Sequence, residues 1–145
     1  MSEQMCKRIG PPPKGVKYPV WAWFQWEGKR KRRDLRLSGY AERGTPMVQI
    51  EFEVDRNMML LSDFDDWHRV LNNSYISDSE EDFDLFYTTD HEIIQKEIEA
   101  SWNKIFDIDR DMPDWSVPAN EKSIQAILWE IKLPQIKKVE HFTAK

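Results

Sequence analysis

The stretch from residue 60 to residue 68 reads Leu60-Leu61-Ser62-Asp63-Phe64-Asp65-Asp66-Trp67-His68 and joins the end of an apolar strand to the start of a helix. Ser62, followed three residues later by Asp65, resembles a capping box, in which side chains satisfy the unpaired N–H groups of the first helical turn. An apolar stripe at helical spacing runs through Phe64, Trp67, Val70 and Leu71. The stretch therefore predicts a strand that turns directly into a capped helix.

The same stretch carries side chains that catalysis uses. Asp63, Asp65, Asp66 and His68 could act as acids, bases or metal ligands at the end of a strand. A structural interpretation explains the acids without a ligand, because each carboxylate in a first helical turn gains roughly 0.3–1 kcal/mol from the helix dipole. We favour the structural interpretation, and we keep His68 and Asp63 as candidate catalytic residues.

Two strands are predicted before this junction. Residues 20–26 are apolar on both faces, which is typical of a central, buried strand, and Trp21 within them is a candidate binding residue. Residues 47–54 alternate, and the side chains expected to face inward are Val48, Ile50, Phe52 and Val54. Residues 1–17 precede both strands as a short helix and a proline-rich connector.

Two more helices are predicted after the junction. Ser79 with Asp82 opens a short helix, and Thr89 with Glu92 opens a long one. The apolar face of the long helix comprises Ile93, Ile94, Ile98, Trp102, Ile105 and Phe106.

The chain then returns to strands. A loop over residues 107–122 leads to a strand over 123–133, and a helical turn with a last strand follows over 134–141. Strands, then helices, then strands indicate an α+β fold. We expect a single domain of residues 1–145 whose mostly antiparallel or mixed sheet carries three or so helices.

The charge is unevenly distributed. The net charge is −5, yet residues 46–114 contain 19 acidic and 5 basic side chains. Within these residues the acidic side chains are densest over 78–84. A candidate binding surface there is made of Asp78, Glu80, Glu81, Asp82 and Asp84. These acids could mimic nucleic-acid phosphates or bind a basic partner, and the alternative is a solvated helix surface.

Several classes of protein are not expected. A single Cys6 excludes an intrachain disulfide and a zinc site built from several cysteines. Without an apolar run of roughly 18 residues or a signal peptide, we expect a soluble, cytoplasmic protein that does not enter a membrane.

Metal, cofactor and nucleic-acid binding are not expected either. Residues 107–111 open like a calcium loop, but Met112 and Pro118 stand where an EF-hand needs Gly and Glu. The basic run over residues 29–33 is short and follows a strand, so we interpret it as a solvated turn and do not expect nucleic-acid binding.

Several motifs follow one another in a characteristic order: Lys7-Arg8-Ile9-Gly10-Pro11-Pro12-Pro13, Tyr18-Pro19-Val20-Trp21-Ala22-Trp23, Leu60-Leu61-Ser62-Asp63-Phe64-Asp65 with Trp67-His68, Ser101-Trp102, and Ile124-Gln125-Ala126 with Trp129-Glu130. Through these motifs the chain resembles, over nearly its whole length, the domain-of-unknown-function family 3841 of bacteria and their phages. The resemblance implies no particular activity.

The resemblance also carries an expectation about assembly. Members of that family begin with an additional strand and helix, and this chain would start inside that helix at Glu3. A sheet that lacks one strand has an exposed edge, which a partner must cover. We therefore expect a homodimer or a complex with a protein partner.

Two functions stay open. The first is an interaction or inhibitory module, related to phages or to defence, that uses the acidic surface over residues 78–84 or its open sheet edge. The second is an enzyme with a hydrolytic or NAD-linked site, because a late strand carrying Gln125 and Glu130 is loosely similar to the ADP-ribosyltransferase fold. Such a site would lie near Trp21, Asp63, His68, Gln125 and Glu130.

Overall fold

The computed structural model describes residues 1–31, 34, 41–88, 94–110 and 117–145. Its helices and strands in chain order are α1 (Ser2–Arg8), β1 (Val20–Gln25), β2 (Pro46–Phe52), β3 (Leu60–Asp63), α2 (Phe64–Leu71), α3 (Glu80–Thr88), α4 (Ile94–Ser101), β4 (Ile124–Leu128) and β5 (Ile136–Thr143). Short 3-10 turns occur at Arg56–Met58, Trp102–Phe106, Ala119–Glu121 and Leu133–Gln135.

The α+β fold class is confirmed by four helices and five antiparallel strands in the described part of the chain. The strands there form two sheets and not one. Internal contacts divide the chain into two compact units. The first comprises Met1–Val20, Lys31–Leu60 and Leu128–Lys145, and the second comprises Trp21–Arg30 and Leu61–Ile127.

The first unit contains α1 and a two-stranded ribbon. β2 pairs antiparallel with β5, from Pro46 opposite Thr143 to Phe52 opposite Ile136. The prediction that Val48 and Ile50 face inward is wrong, because both are exposed while Met47 and Gln49 are half-buried. Alternation correctly places Val48 and Ile50 on one face, but it does not say which face of a ribbon is covered.

The strand predicted over residues 123–133 is shorter in the structure. The strand predicted over residues 123–133 ends at Leu128, and Leu133 is exposed. Trp129 is buried instead of continuing the strand, and its indole N–H donates a 2.8 Å hydrogen bond to the carbonyl of Gly10. The predicted helical turn and last strand are confirmed as Leu133–Gln135 and β5.

The second unit is built on a three-stranded sheet with the order β1-β4-β3. The prediction that β1 is central and buried is wrong, since it is an outer strand among those described, and Val20, Trp21 and Trp23 are exposed. An apolar strand is not necessarily central when its aromatic side chains cover a neighbouring helix. The Trp21 ring lies 5.1 Å from the ring of Trp67 on α2.

Three helices accompany this sheet. The predicted cap of the second helix is confirmed, because the backbone N–H of Asp82 donates to Ser79 Oγ at 3.0 Å. The long predicted helix consists of α4 and the 3-10 turn at Trp102–Phe106, with Ile98 and Ile105 buried. The predicted capping box of Thr89 and Glu92 lies outside the described residues.

No helix in the described ranges is both long enough and apolar enough to cross a membrane.

Candidate functional site

Helix α2 is capped one residue later than predicted. The Asp63 carboxylate, and not the Ser62 hydroxyl, accepts the backbone N–H groups of Asp65 at 2.9 Å and Asp66 at 3.2 Å. The difference arises because β3 continues through Asp63, so the chain is still extended at Ser62. Ser62 is fully buried, and its hydroxyl has no hydrogen-bond partner within the described ranges.

Asp63 also forms a buried ion pair. Its Oδ2 atom lies 3.4 Å from the Nζ atom of Lys122, and the two side chains are only 3% and 2% exposed. Lys122 further donates to the carbonyl oxygens of Arg110 at 3.0 Å and Ile108 at 3.4 Å. A charge removed from water needs such a partner, because desolvating an unpaired ion costs several kcal/mol.

Asp66 forms a second buried ion pair. Arg110 Nη2 lies 2.6 Å from Asp66 Oδ2, and Arg69 Nε lies 3.4 Å from Asp66 Oδ1. Burial and the nearby Asp63 carboxylate raise the pKa of Asp66, although both arginines oppose that shift. Asp63, Lys122, Asp66 and Arg110 together are called the ion-pair network below.

Sequence reasoning missed half of this network. Lys122 and Arg110 lie 59 and 44 residues along the chain from their acidic partners, so no local spacing connects them. The sequence does place three carboxylates at the end of a buried strand. Because buried acids require buried cations, it could have predicted cationic partners elsewhere in the chain.

The other predicted catalytic residues lie in separate surroundings. His68 is exposed, its Nδ1 atom lies 2.9 Å from the carbonyl of Phe64, and its ring packs edge-on against the Phe64 ring at 4.4 Å. Gln125 lies on β4, half-buried, and its Oε1 atom has no hydrogen-bond partner in the part of the chain described. Glu130 follows the end of β4, belongs to the first unit and pairs with Lys132 at 3.2 Å.

The described residues contain no group of three or more His, Cys, Asp or Glu side chains that could hold a metal ion.

The acidic stretch before and within α3 divides into two kinds of carboxylate. Asp78 is bound, because its oxygens lie 2.7 Å from Lys104 Nζ and 3.0 Å from Arg110 Nη1. Burial alone would raise the pKa of Asp78, but the two cations outweigh it and lower the pKa below its ordinary value.

Asp82 is bound as well. It accepts the Tyr75 hydroxyl at 3.1 and 3.2 Å and the backbone N–H of Asp78 at 2.8 Å. Burial, together with this carboxylate, raises the pKa of Tyr75 to about 12. The Tyr75 ring stacks on Phe86 with centroids 4.0 Å apart, which anchors the inner side of α3.

The remaining acids are exposed. Glu80, Glu81 and Asp84, which we call the acidic face, form no ion pair among the residues that the structure describes. The pKa of Glu81 is lowered by its own backbone N–H and by the Ser79 hydroxyl. Large apolar side chains flank the acidic face: Phe83 is 37% exposed, Tyr87 52% and Leu85 66%.

A cleft of about 750 Å³ lies within the second unit, between the turn after β1 and the start of α2. The turn has positive φ at Glu27 (47°) and Gly28 (71°), and the backbones of Trp26 and Lys29 exchange two 3.0 Å hydrogen bonds. A side chain at Gly28 could not fit, because its Cβ would lie 2.0 Å from the Asn120 carbonyl oxygen. The residues that line the cleft are Trp26, Glu27, Gly28, Lys29, Phe64, Asp65, Val117, Asn120, Glu121 and Ser123.

Comparison with known proteins adds a family but no activity. A family model described as "Domain of unknown function (DUF3841)" matches residues 1–94. No curated protein and no solved structure matches the chain.

Proposed function

Because the chain belongs to the DUF3841 family, whose description assigns no activity, we propose a function from its own geometry: a protein-interaction module that binds a basic partner through α3. The observation that carries the proposal is the acidic face of Glu80, Glu81 and Asp84 beside the exposed Phe83, Leu85 and Tyr87. Acids of this kind supply charge, and aromatic and apolar side chains supply contact area.

The helix is held in a fixed position, which favours binding. Its inner side is fixed by the Tyr75–Phe86 stack and by Asp82, which is bonded to Tyr75 and to the backbone of Asp78. A helix that does not have to order itself on binding loses less entropy when a partner arrives. The exposed side chains of α3 are therefore presented in advance of binding.

The chemistry of the partner follows from the surface. Residues 80, 81, 84 and 87 recur at the spacing of one helix face, so the three carboxylates and the Tyr87 ring form a continuous strip. A partner that fits it presents lysine or arginine side chains beside an apolar patch. Its association should be accelerated by opposite charge and slowed by salt, and nucleic-acid phosphates should be repelled.

The test compares two variants with the same net charge. The first is Glu80→Gln/Glu81→Gln/Asp84→Asn on the acidic face, and the second neutralises three exposed acids elsewhere, Glu42→Gln/Asp55→Asn/Asp109→Asn. A partner that co-purifies from the source cells with the wild type and with the control variant is purified, and its affinity is measured at two salt concentrations.

We expect the acidic-face variant to lose at least about tenfold in affinity and most of the salt dependence, while the control variant binds normally. Sedimentation of the protein alone shows whether the partner is a second copy, since residues 1–45 contain 11 basic and 4 acidic side chains. A partner retained equally by both variants would contradict the proposal.

A second proposal is an enzyme with an NAD-linked or hydrolytic site. The observation in its favour is Gln125, whose half-buried side chain leaves Oε1 without a partner in the described part of the chain. Thermal stabilisation by NAD that disappears in Gln125→Ala would support an NAD-linked site. If millimolar NAD does not raise the melting temperature, an NAD-linked site is excluded.

A further inference from the structure

We propose that the cleft between the turn after β1 and the start of α2 is a binding site for an arginine side chain of a partner chain. The site is separate from the acidic face of α3, and it stands or falls independently of the function proposed there. The walls of the cleft, its charge and the backbone geometry of Glu27 all suit a bound arginine side chain.

The walls of the cleft are aromatic. Trp26 and Phe64 both line it, with ring centroids 6.2 Å apart, and Trp23 packs edge-on against both rings from 4.7 and 4.8 Å. Aromatic faces attract cations within about 6 Å of the ring centroid, and arginine is the cation most often found there. Rings held by mutual packing offer a fixed surface on which a planar group can stack.

The charge of the cleft matches a cation. Three acidic residues, Glu27, Asp65 and Glu121, line it, against the single basic residue Lys29 among the lining residues described. Asp65 lies in the first turn of α2, beside the capping Asp63. Burial and the neighbouring Asp63 raise the pKa of Asp65, so a cation arriving in the cleft would relieve an unfavourable charge.

Glu27 is held at the cleft in an unusual backbone conformation. Its φ of 47° lies in the left-handed region, which is unfavourable for a residue with a long side chain and where Asn is preferred. Its backbone N–H donates to Ser123 Oγ at 3.1 Å, which ties the turn to the start of β4. A less favourable residue at this position points to a role for the carboxylate itself.

Arginine fits this arrangement better than lysine. A guanidinium is planar, so one face can stack on Trp26 or Phe64 while its edge donates several hydrogen bonds to carboxylates. A lysine ammonium is compact and strongly hydrated, and it cannot stack. The volume of about 750 Å³ is within the range of small-ligand sites and admits a side chain with its flanking backbone.

The experiment titrates the full-length, isotope-labelled protein with three tripeptides, acetyl-Gly-Xaa-Gly-amide, in which Xaa is arginine, lysine or citrulline. Citrulline keeps the shape of arginine without its charge. Two-dimensional NMR follows the indole N–H of Trp26 and the amides of Glu27 and Gly28. The variants are Glu27→Asn, which suits the positive φ, and, as the matched control, Asp55→Asn at an exposed position of the first unit.

We expect saturable shifts at these three positions with the arginine peptide, weaker binding of the lysine peptide and no saturation with citrulline. Glu27→Asn should weaken arginine binding about fivefold, the value of one close charge pair in water, and Asp55→Asn should leave it unchanged. Equal binding of lysine or citrulline would overturn the assignment, and so would full affinity in Glu27→Asn. Absence of shifts would overturn it as well.

Discussion

Two acidic stretches of this chain look alike in sequence and differ in structure. In residues 60–68, Asp63 and Asp66 are almost completely buried, and each is bound to a cation from a distant part of the chain. In residues 78–84, only Asp78 and Asp82 are bound, and Glu80, Glu81 and Asp84 remain exposed. The first stretch stabilises the second unit, and the second stretch is partly available to a partner.

The difference shows what decides the fate of a carboxylate. Asp63 follows a buried strand and precedes a helix, so backbone N–H groups and Lys122 both reach it. Glu80 and Glu81 begin a helix whose first turn is solvated, so water can hydrate them. A carboxylate that water hydrates costs nothing to leave unpaired, whereas a buried one must be paired.

The largest expected effect tests the buried pair directly. In Asp63→Asn the cap is retained, because Asn caps a helix as well as Asp, but Lys122 is left buried without its carboxylate. The free energy of unfolding should therefore fall by about 3–5 kcal/mol in urea denaturation at neutral pH.

A second substitution separates the charge from the cap. Asp63→Asn/Lys122→Met removes both charges, and it should recover much of the lost stability because an apolar side chain tolerates burial. If Asp63→Asn costs less than about 1 kcal/mol, the ion pair is not an important part of the folded state, and the contrast between the two stretches is lost.

The sequence predicted what depends on neighbouring residues. The junction at residues 60–68, the cap of α3 by Ser79 and the buried Ile98 and Ile105 all follow from short-range spacing. The position of the α2 cap was wrong by one residue, because the length of β3 depends on its hydrogen bonds with β4, where the N–H of Phe64 donates to the carbonyl of Ser123.

Features that depend on distant residues could not be predicted. Lys122 and Arg110 carry no local mark that distinguishes them from surface cations. The cleft is formed by the turn at Glu27 and the start of α2 together with residues 117–123, and only the fold brings these segments together. The apolar composition of Val20–Gln25 led to the wrong prediction of a central strand, because aromatic residues bury surface equally well on an outer strand.

An intermediate effect tests how Asp82 is fixed. Tyr75→Phe keeps the ring stacked on Phe86 but removes the hydroxyl that donates to Asp82, so the unfolding free energy should fall by about 1 kcal/mol. The matched control is Tyr87→Phe, whose exposed ring predicts a change within about 0.5 kcal/mol.

The stability difference between the wild type and Tyr75→Phe should also depend on pH. The folded-state pKa of Tyr75 is raised from 10.0 to about 12, so its contribution is complete below pH 10 and decreases as the pH rises through about 12. The stability difference between the wild type and Tyr75→Phe should therefore narrow in alkaline urea titrations. A difference that widens there would mean that Asp82 does not hold the phenol.

The smallest effect concerns Asp78, which belongs to the exposed stretch by position and to the bound acids by contact. Its side chain is 60% exposed, so solvent screening limits the loss in Asp78→Asn to under about 1 kcal/mol at neutral pH, although Lys104 and Arg110 both lie within 3.0 Å. Its pKa is lowered below 3.8, so its contribution is present above pH 3.8 and disappears as the pH falls through the folded-state value. The unfolding free energies of the wild type and the variant should therefore become equal in acid, and added salt should reduce their difference at neutral pH.

Asp84→Asn, on the outer side of α3, should change the unfolding free energy less than Asp78→Asn does at neutral pH. Equal losses in the two variants would show that contact with Lys104 and Arg110 does not separate the bound acids from the acidic face.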